Sequence, residues 1–218
     1  MFDFQIHSTN KNAAPPFARI ILGHGAGAGM QHEFMQTMAT ILNGHGVEVV
    51  LFNFPYMQTI IETKKRRPPD RADKLLAHFN AVIQEIGTTR DSLPTFIGGK
   101  SMGGRMATMV LDDADGIAGA VALGYPFHPP GKPEKLRTAH LETLNKPLLI
   151  IQGERDTFGT KSEVENYNLS SMISFSFLED GDHSFKPRKR SGFTLATHIE
   201  CAAKQVADFM KAQTTMNV

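Results

Sequence analysis

Cysteine is nearly absent from the sequence: Cys201 stands alone. A lone cysteine excludes an internal disulfide framework and fits a reducing compartment. Its place in the last helical stretch predicts a packed, buried side chain. Charge of one sign is also scarce, with 23 Lys and Arg against 22 Asp and Glu. That balance leaves no global electrostatic footprint for nucleic acid or for an anionic membrane. No apolar run approaches the ~20 residues needed to span a bilayer. Residues Met1 to Pro16 lack the basic head and apolar core of a signal peptide, so a soluble cytoplasmic protein is expected. Clusters of cysteine or histidine at ligand spacing are missing, so no metal is expected. Neither an internal repeat nor a low-complexity tail is present.

What remains is 218 residues with 41% hydrophobic content. That is enough for one sizeable core and short for two, so 1–218 reads as a single domain. Its organising stretch is Pro94-Thr95-Phe96-Ile97-Gly98-Gly99-Lys100-Ser101-Met102-Gly103-Gly104-Arg105. Thr95 to Ile97 reads as a buried strand, and Met102, Met106, Met109 and Val110 recur at helical spacing. Between them Gly99-Lys100-Ser101-Met102-Gly103 fits G-x-S-x-G. A serine projecting from so abrupt a turn takes a strained backbone, and its neighbours must lack a Cβ so that helix can follow strand directly.

Strand and helix patterns alternate along the rest of the chain. Phe2, Phe4 and Ile6 alternate with polar residues as in a half-buried edge strand, and a turn-rich connection spans Asn10 to Pro16. Arg19 to Leu22, Val47 to Phe52, Ile117 to Leu123, Pro147 to Ile151 and Ile173 to Leu178 read as further strands, with Pro55 stopping the second of these. Helices are expected from about Glu33 to Asn43, Asp70 to Ile86 and Thr197 to Lys211. Such alternation calls for an α/β fold, with about seven strands in a mostly parallel sheet covered on both faces.

Four segments resemble the α/β-hydrolase superfamily, and within it the small dienelactone-hydrolase-like serine hydrolases. They are Gly23-His24-Gly25-Ala26-Gly27-Ala28-Gly29, the serine turn, Ile150-Ile151-Gln152-Gly153-Glu154-Arg155-Asp156, and Gly181-Asp182-His183-Ser184-Phe185. They come in the family's order, and the resemblance runs from Ala18 to about Phe209. It implies a compact α/β-hydrolase fold with no full cap domain, because the 125–146 connection is too short for one. It also implies a catalytic triad. Ser101 needs a neighbouring base to become nucleophilic, and a histidine has the pKa for that task. Of nine histidines, His183 lies in the loop where the family places its base. Asp156 stands where the family places the acid, with Glu154 and Asp182 as rivals. The resemblance puts the oxyanion hole at the backbone N–H of Met102 and of Ala26, with Gly25 the rival to Ala26 and His24 bracing their loop. Tyr125 and Phe127 are expected to line the acyl side of the site.

Competing motifs fail on single residues. Gly99-Lys100-Ser101 ends like a phosphate-binding P-loop, but Pro94 stands where its first glycine belongs. Gly23 to Ala28 fits a loose dinucleotide pattern, yet Asn53 replaces the acid that would hold a ribose. His32-Glu33-Phe34-Met35-Gln36 ends in glutamine where a zinc protease needs histidine. The one dense charge run, Lys64-Lys65-Arg66-Arg67 with Arg71 close behind, reads either as a solvated loop or as a rim that draws an anionic substrate through Arg66, Arg67 or Arg71. The expected function is hydrolysis of a small ester, thioester or related acyl bond, with no cofactor and a small-molecule acyl substrate as partner. The alternative is an interaction protein that keeps the fold and a vestigial triad.

Overall fold

A computed structural model describes residues 4–8, 14–89 and 93–215. Seven strands form one sheet: β1 (Phe4–His7), β2 (Ala18–Gly23), β3 (Val47–Phe52), β4 (Thr95–Lys100), β5 (Ile117–Leu123), β6 (Leu148–Gly153) and β7 (Ile173–Leu178). Their order across the sheet is β1-β3-β2-β4-β5-β6-β7. Only β1 is antiparallel, pairing Phe4 with Phe52 and His7 with Val49 at the edge. Phe2 of the expected edge strand and residues 10–13 of the following connection lie outside the described residues.

The central strands are apolar on both faces because both faces are covered, and the two-residue period sorts their side chains. Ile21, Val50 and Phe52 point to one core with Phe79, Val82, Met106 and Val110. Ile20, Leu22, Val49 and Leu51 point to the other, with Met35, Met38, Leu42, Ile199, Ala202 and Val206. Helices α1 (Glu33–Gly44) and α6 (Leu195–Thr215) cover that second face. The first face is covered by α3 (Ala72–Thr89) and α4 (Met102–Val110), with α2 (Pro55–Thr63) beside them. A short α5 (Lys161–Val164) lies between β6 and β7.

Two details differ from expectation. Pro55 ends β3 but also begins a helix, since a proline at the first helical position loses no hydrogen bond that the helix needs. Only Tyr56 and Met57 of α2 are buried, too little apolar periodicity to announce a helix. Cys201 is exposed, because α6 buries His198, Ile199, Ala202, Ala203 and Val206 and turns position 201 outward. The 125–146 connection holds one 3₁₀ turn, Ala139–Leu141, and packs down on the sheet edge through Leu141 and Leu144 rather than rising as a cap. No helix among the described residues is long and apolar enough to cross a membrane.

Candidate active site

The carboxyl ends of parallel strands carry the loops of this sheet, and four of those ends meet at one place. At the end of β4, Ser101 takes φ 51° and ψ −111°, a left-handed backbone costly for a residue with a Cβ. Close approach explains the glycines around it. A Cβ on Gly99 would lie 2.3 Å from the Gly23 carbonyl, and one on Gly103 would lie 2.2 Å from the same oxygen. Ser101 occupies the N-cap position of α4, yet its hydroxyl makes no capping bond to the helix. It bonds instead to His183.

Ser101 Oγ stands 2.9 Å from His183 Nε2, and His183 Nδ1 stands 2.8 Å from Asp156 Oδ2. A carboxylate only accepts, so Nδ1 carries the proton and Nε2 accepts from the serine hydroxyl. Asp156 is fully buried and is held from two more sides, by Gln152 Nε2 at 3.0 Å and the Phe158 N–H at 2.8 Å. Its loop is fixed to the His183 loop by backbone bonds from Glu154 N to Leu178 O and from Arg155 N to Gly181 O. Gly153 permits that contact, since a Cβ there would meet the Asp182 carbonyl at 2.4 Å. The rival acids are engaged elsewhere. Asp182 Oδ1 caps its own loop at Ser184 N and Lys186 N, and Glu154 bonds Lys161 and Asp180 N.

Two neighbours hold the histidine. The Phe158 ring lies 4.2 Å from the His183 ring, tilted by 32°. Lys100 Nζ donates to the His183 carbonyl at 2.6 Å and lies over the rings of Phe34 and Phe185. Burial pushes the Lys100 ammonium down to about 8, against the pull of Asp156 and Asp182.

The glycine-rich loop after β2 passes on the other side of Ser101. His24 is fully buried beneath it, donating from Nδ1 to the Gly25 carbonyl at 2.7 Å and accepting at Nε2 from Phe54 N at 3.1 Å. Burial pushes its pKa down to about 4, so the ring is a neutral brace. Tyr56 adds a second brace, donating to the Ala26 carbonyl at 3.0 Å.

Two clefts flank the serine. The larger, about 780 Å³, is lined by Ser101 and His183 with the apolar side chains of Phe34, Met35, Leu195 and Ile199, and the 125–146 connection contributes nothing to it. The smaller, about 350 Å³, is lined by Ser101, Met102 and Ala26 together with Arg105 and Arg137. Other expected site residues lie apart. Tyr125 and Phe127 are wholly buried and line neither cleft: Tyr125 Oη donates to the Arg137 carbonyl, and both rings belong to the core beside β5. Arg66 is exposed, Arg67 pairs with Asp70 at 2.9 Å, and Arg71 turns outward to Asp73, so none of the three lines a cleft. Gln152 and Phe158 were not foreseen. Gln152 had a signal, as a polar side chain closing an apolar parallel strand must find buried partners; Phe158 had none. No cluster suited to a metal ion occurs among the described residues.

Comparison with known proteins agrees with this architecture. The chain is similar over 94% of its length to an alpha-beta serine hydrolase homologue from Coxiella burnetii, with a TM-score of 0.72, 17% identity and 89% of that chain covered. Est1E from Butyrivibrio proteoclasticus, with ferulic acid bound, matches over 98% of this chain and 96% of its own, with a TM-score of 0.71 and 16% identity. A serine hydrolase without a lid from Xanthomonas campestris covers 100% of this chain and 89% of its own, with a TM-score of 0.69 and 16% identity. The family described as an alpha/beta hydrolase domain matches residues 16–211, nearly the whole chain, and the protein belongs to that family.

Proposed function

We propose that the protein is a serine hydrolase that cleaves a small ester, thioester or related acyl bond through an acyl-serine intermediate. The observation that carries this reading is the continuous chain of hydrogen bonds from Ser101 through His183 to buried Asp156, opening on an apolar cleft. In this reading Ser101 Oγ attacks the carbonyl carbon while its proton passes to His183 Nε2. Asp156 holds the imidazole tautomer and stabilises the imidazolium that forms. The developing oxyanion is taken by the N–H groups of Met102 and Ala26. Met102 is the first residue of α4, where helical N–H groups have no partner within the helix and the dipole favours negative charge. The leaving group collects the proton from Nε2, and water then repeats the sequence to release the acid. No step calls for a cofactor.

The test is a fluorophosphonate probe combined with a panel of short-chain esters and thioesters. Ser101 labels in the wild type, and Ser101→Ala abolishes labelling and lowers kcat by ~10³-fold or more. Equal labelling of both proteins would overturn the reading in favour of an interaction protein that retains the fold.

A further inference from the structure

Arg105 sits one helical turn beyond Ser101, its N–H bonded to the Ser101 carbonyl at 3.0 Å. Side chains on a helix lean toward its N-terminus, so the guanidinium is brought back toward the serine and into the smaller cleft. Arg137 reaches the same cleft from the 125–146 connection, its backbone held by Phe127 O and by the Tyr125 hydroxyl. Neither guanidinium has a carboxylate within ion-pair distance among the described residues. Arg105 Nε is buried with no hydrogen-bond acceptor among the described residues. A buried donor on a charged group without an acceptor is costly, and natural structures rarely leave one without a use.

The charges around this pair do not answer it. Asp70 lines the cleft but already pairs with Arg67. His140 bonds Thr108 Oγ1, and burial together with Arg105 keeps it neutral, with a pKa near 4. Burial and then Arg105 lower Arg137 from its ordinary value, so the two cations feel each other. Lys100, the cation of the larger cleft, is already engaged by the His183 carbonyl and two rings. The uncompensated positive charge therefore lies in the small cleft, beside Ser101, Met102 and Ala26.

We infer that this cleft is an anion subsite, where Arg105 and Arg137 hold a carboxylate or phosphate at the far end of a short acyl group. The inference rests on the reading of Ser101 as the nucleophile. His183 lines the larger cleft and not the smaller, so the leaving group that it protonates departs through the larger one. The acyl part then occupies the smaller cleft, whose volume of about 350 Å³ suits a chain of a few carbons. The substrate class is a half-ester or half-thioester of a short dicarboxylic acid, or its phosphorylated counterpart. Planar guanidinium forks match either oxyacid.

Two measurements test it. One compares kcat/KM for mono-p-nitrophenyl glutarate and p-nitrophenyl valerate, with wild type, Arg137→Gln, Arg137→Lys and Arg105→Met. The expected preference for the anionic ester is on the order of 10- to 100-fold. It shrinks by tenfold or more in Arg137→Gln, shrinks less in Arg137→Lys, and weakens as salt rises. Arg137→Gln keeps the test valid even where Arg105→Met disturbs α4. The other measures binding of free glutarate and of inorganic phosphate to Ser101→Ala by calorimetry, which identifies the oxyacid without needing turnover. Equal rates on the two esters, or a preference that survives in Arg137→Gln, overturn the subsite while leaving the hydrolase reading intact. Binding of either anion that depends on Arg137, with neither ester cleaved, upholds the subsite and removes the hydrolase reading. No cleavage and no binding overturn both.

Discussion

Lys100 Nζ donates to the main-chain carbonyl of His183, tying the residue before the serine to the backbone of the histidine 83 positions later. This bond, with the Phe34 and Phe185 rings beneath the ammonium, holds two loops in register across the site. Lys100→Met keeps the stem and removes the charge. Loss of a charge-assisted bond costs about 1.5–3 kcal/mol, and at this chain length each kcal/mol is worth roughly 2–4 °C in Tm. The expected outcome is a Tm lowered by about 3–12 °C and a kcat lowered about tenfold with KM little changed. Thermal melts and steady-state kinetics check it; an unchanged kcat would show that the tether does not position His183.

The charge itself gives a second readout. The folded-state pKa of Lys100, about 8, lies below the ordinary lysine value of 10.5 because the ammonium is buried. Between those values the unfolded chain binds more protons, so this group makes stability rise with pH across the window from 8 to 10.5. Lys100→Met is expected to flatten that rise in denaturant titrations. A slope there equal to the wild type's would contradict the assignment.

Asp156 and Gln152 separate tautomer control from simple packing. Asp156→Asn leaves the shape intact but offers His183 Nδ1 an amide that donates as well as accepts, so Nε2 can carry the proton and lose its role as acceptor. kcat is expected to fall by ~10³- to 10⁴-fold. Gln152→Leu withdraws one donor from Asp156 and strands the Tyr125 N–H, with an expected cost of about 1–3 kcal/mol in stability. Its kcat loss is expected to be much smaller than that of Asp156→Asn. Equal kcat losses for the two variants would mean that Asp156 acts only as part of the packing.

Ser101 is under backbone strain that glycine does not share. Ser101→Gly is expected to abolish acyl transfer while raising stability by about 1 kcal/mol, because glycine occupies positive φ without a Cβ clash. Chemical denaturation of Ser101→Gly beside Ser101→Ala isolates the backbone contribution: alanine keeps the clash and glycine removes it. Glycine no more stable than alanine would argue against stored strain.

The sheet was legible because its central strands are buried on both faces and read as short apolar runs between glycine and proline stops, so even Val47–Phe52 was bounded correctly. The serine turn was legible for a steric reason: Gly99, Gly103 and Gly104 are demanded by contacts under 3 Å. Side-chain partners across loops were not. Periodicity carries no information on whether Arg67 turns to Asp70 or to the cleft, and the pairing is decided by how the 64–71 segment follows α2, itself a short helix with two buried residues. Arg105 stood in the organising stretch from the start, but its orientation depends on the helix beginning at Met102. Tyr125 and Phe127 follow a strand end facing the site, yet they fold back into the core with Tyr167 and Phe175, a long-range contact invisible in local pattern.

His24 gives the last prediction, in acid. Its pKa falls from 6.5 to about 4 because the ring is buried, with a smaller push from His78, against the upward pull of its bond to the Gly25 carbonyl. The sign follows directly: between pH 6.5 and 4 the unfolded chain holds a proton there that the folded one refuses. Stability from this group is therefore complete above pH 6.5, falls as pH drops, and is lost by pH 4, an effect of about 3 kcal/mol. His7, His78 and His140 are lowered as well and slope the same way. Asp180, held low by Arg188, makes its own change only below pH 3.8, and Glu163, held low by its bonds to Thr160, enters only at the foot of the window, below pH 4.5. His24→Asn is expected to be less stable than wild type at pH 7.5, since Phe54 N loses its acceptor, and to show a shallower decline from pH 6.5 to 4. Because the same ring braces the loop carrying Ala26, activity on a neutral ester at pH 7.5 is expected to fall about tenfold or more in step. Urea titrations at five pH values with parallel rate measurements decide it: a decline as steep in His24→Asn as in wild type would assign the acid sensitivity to the other histidines.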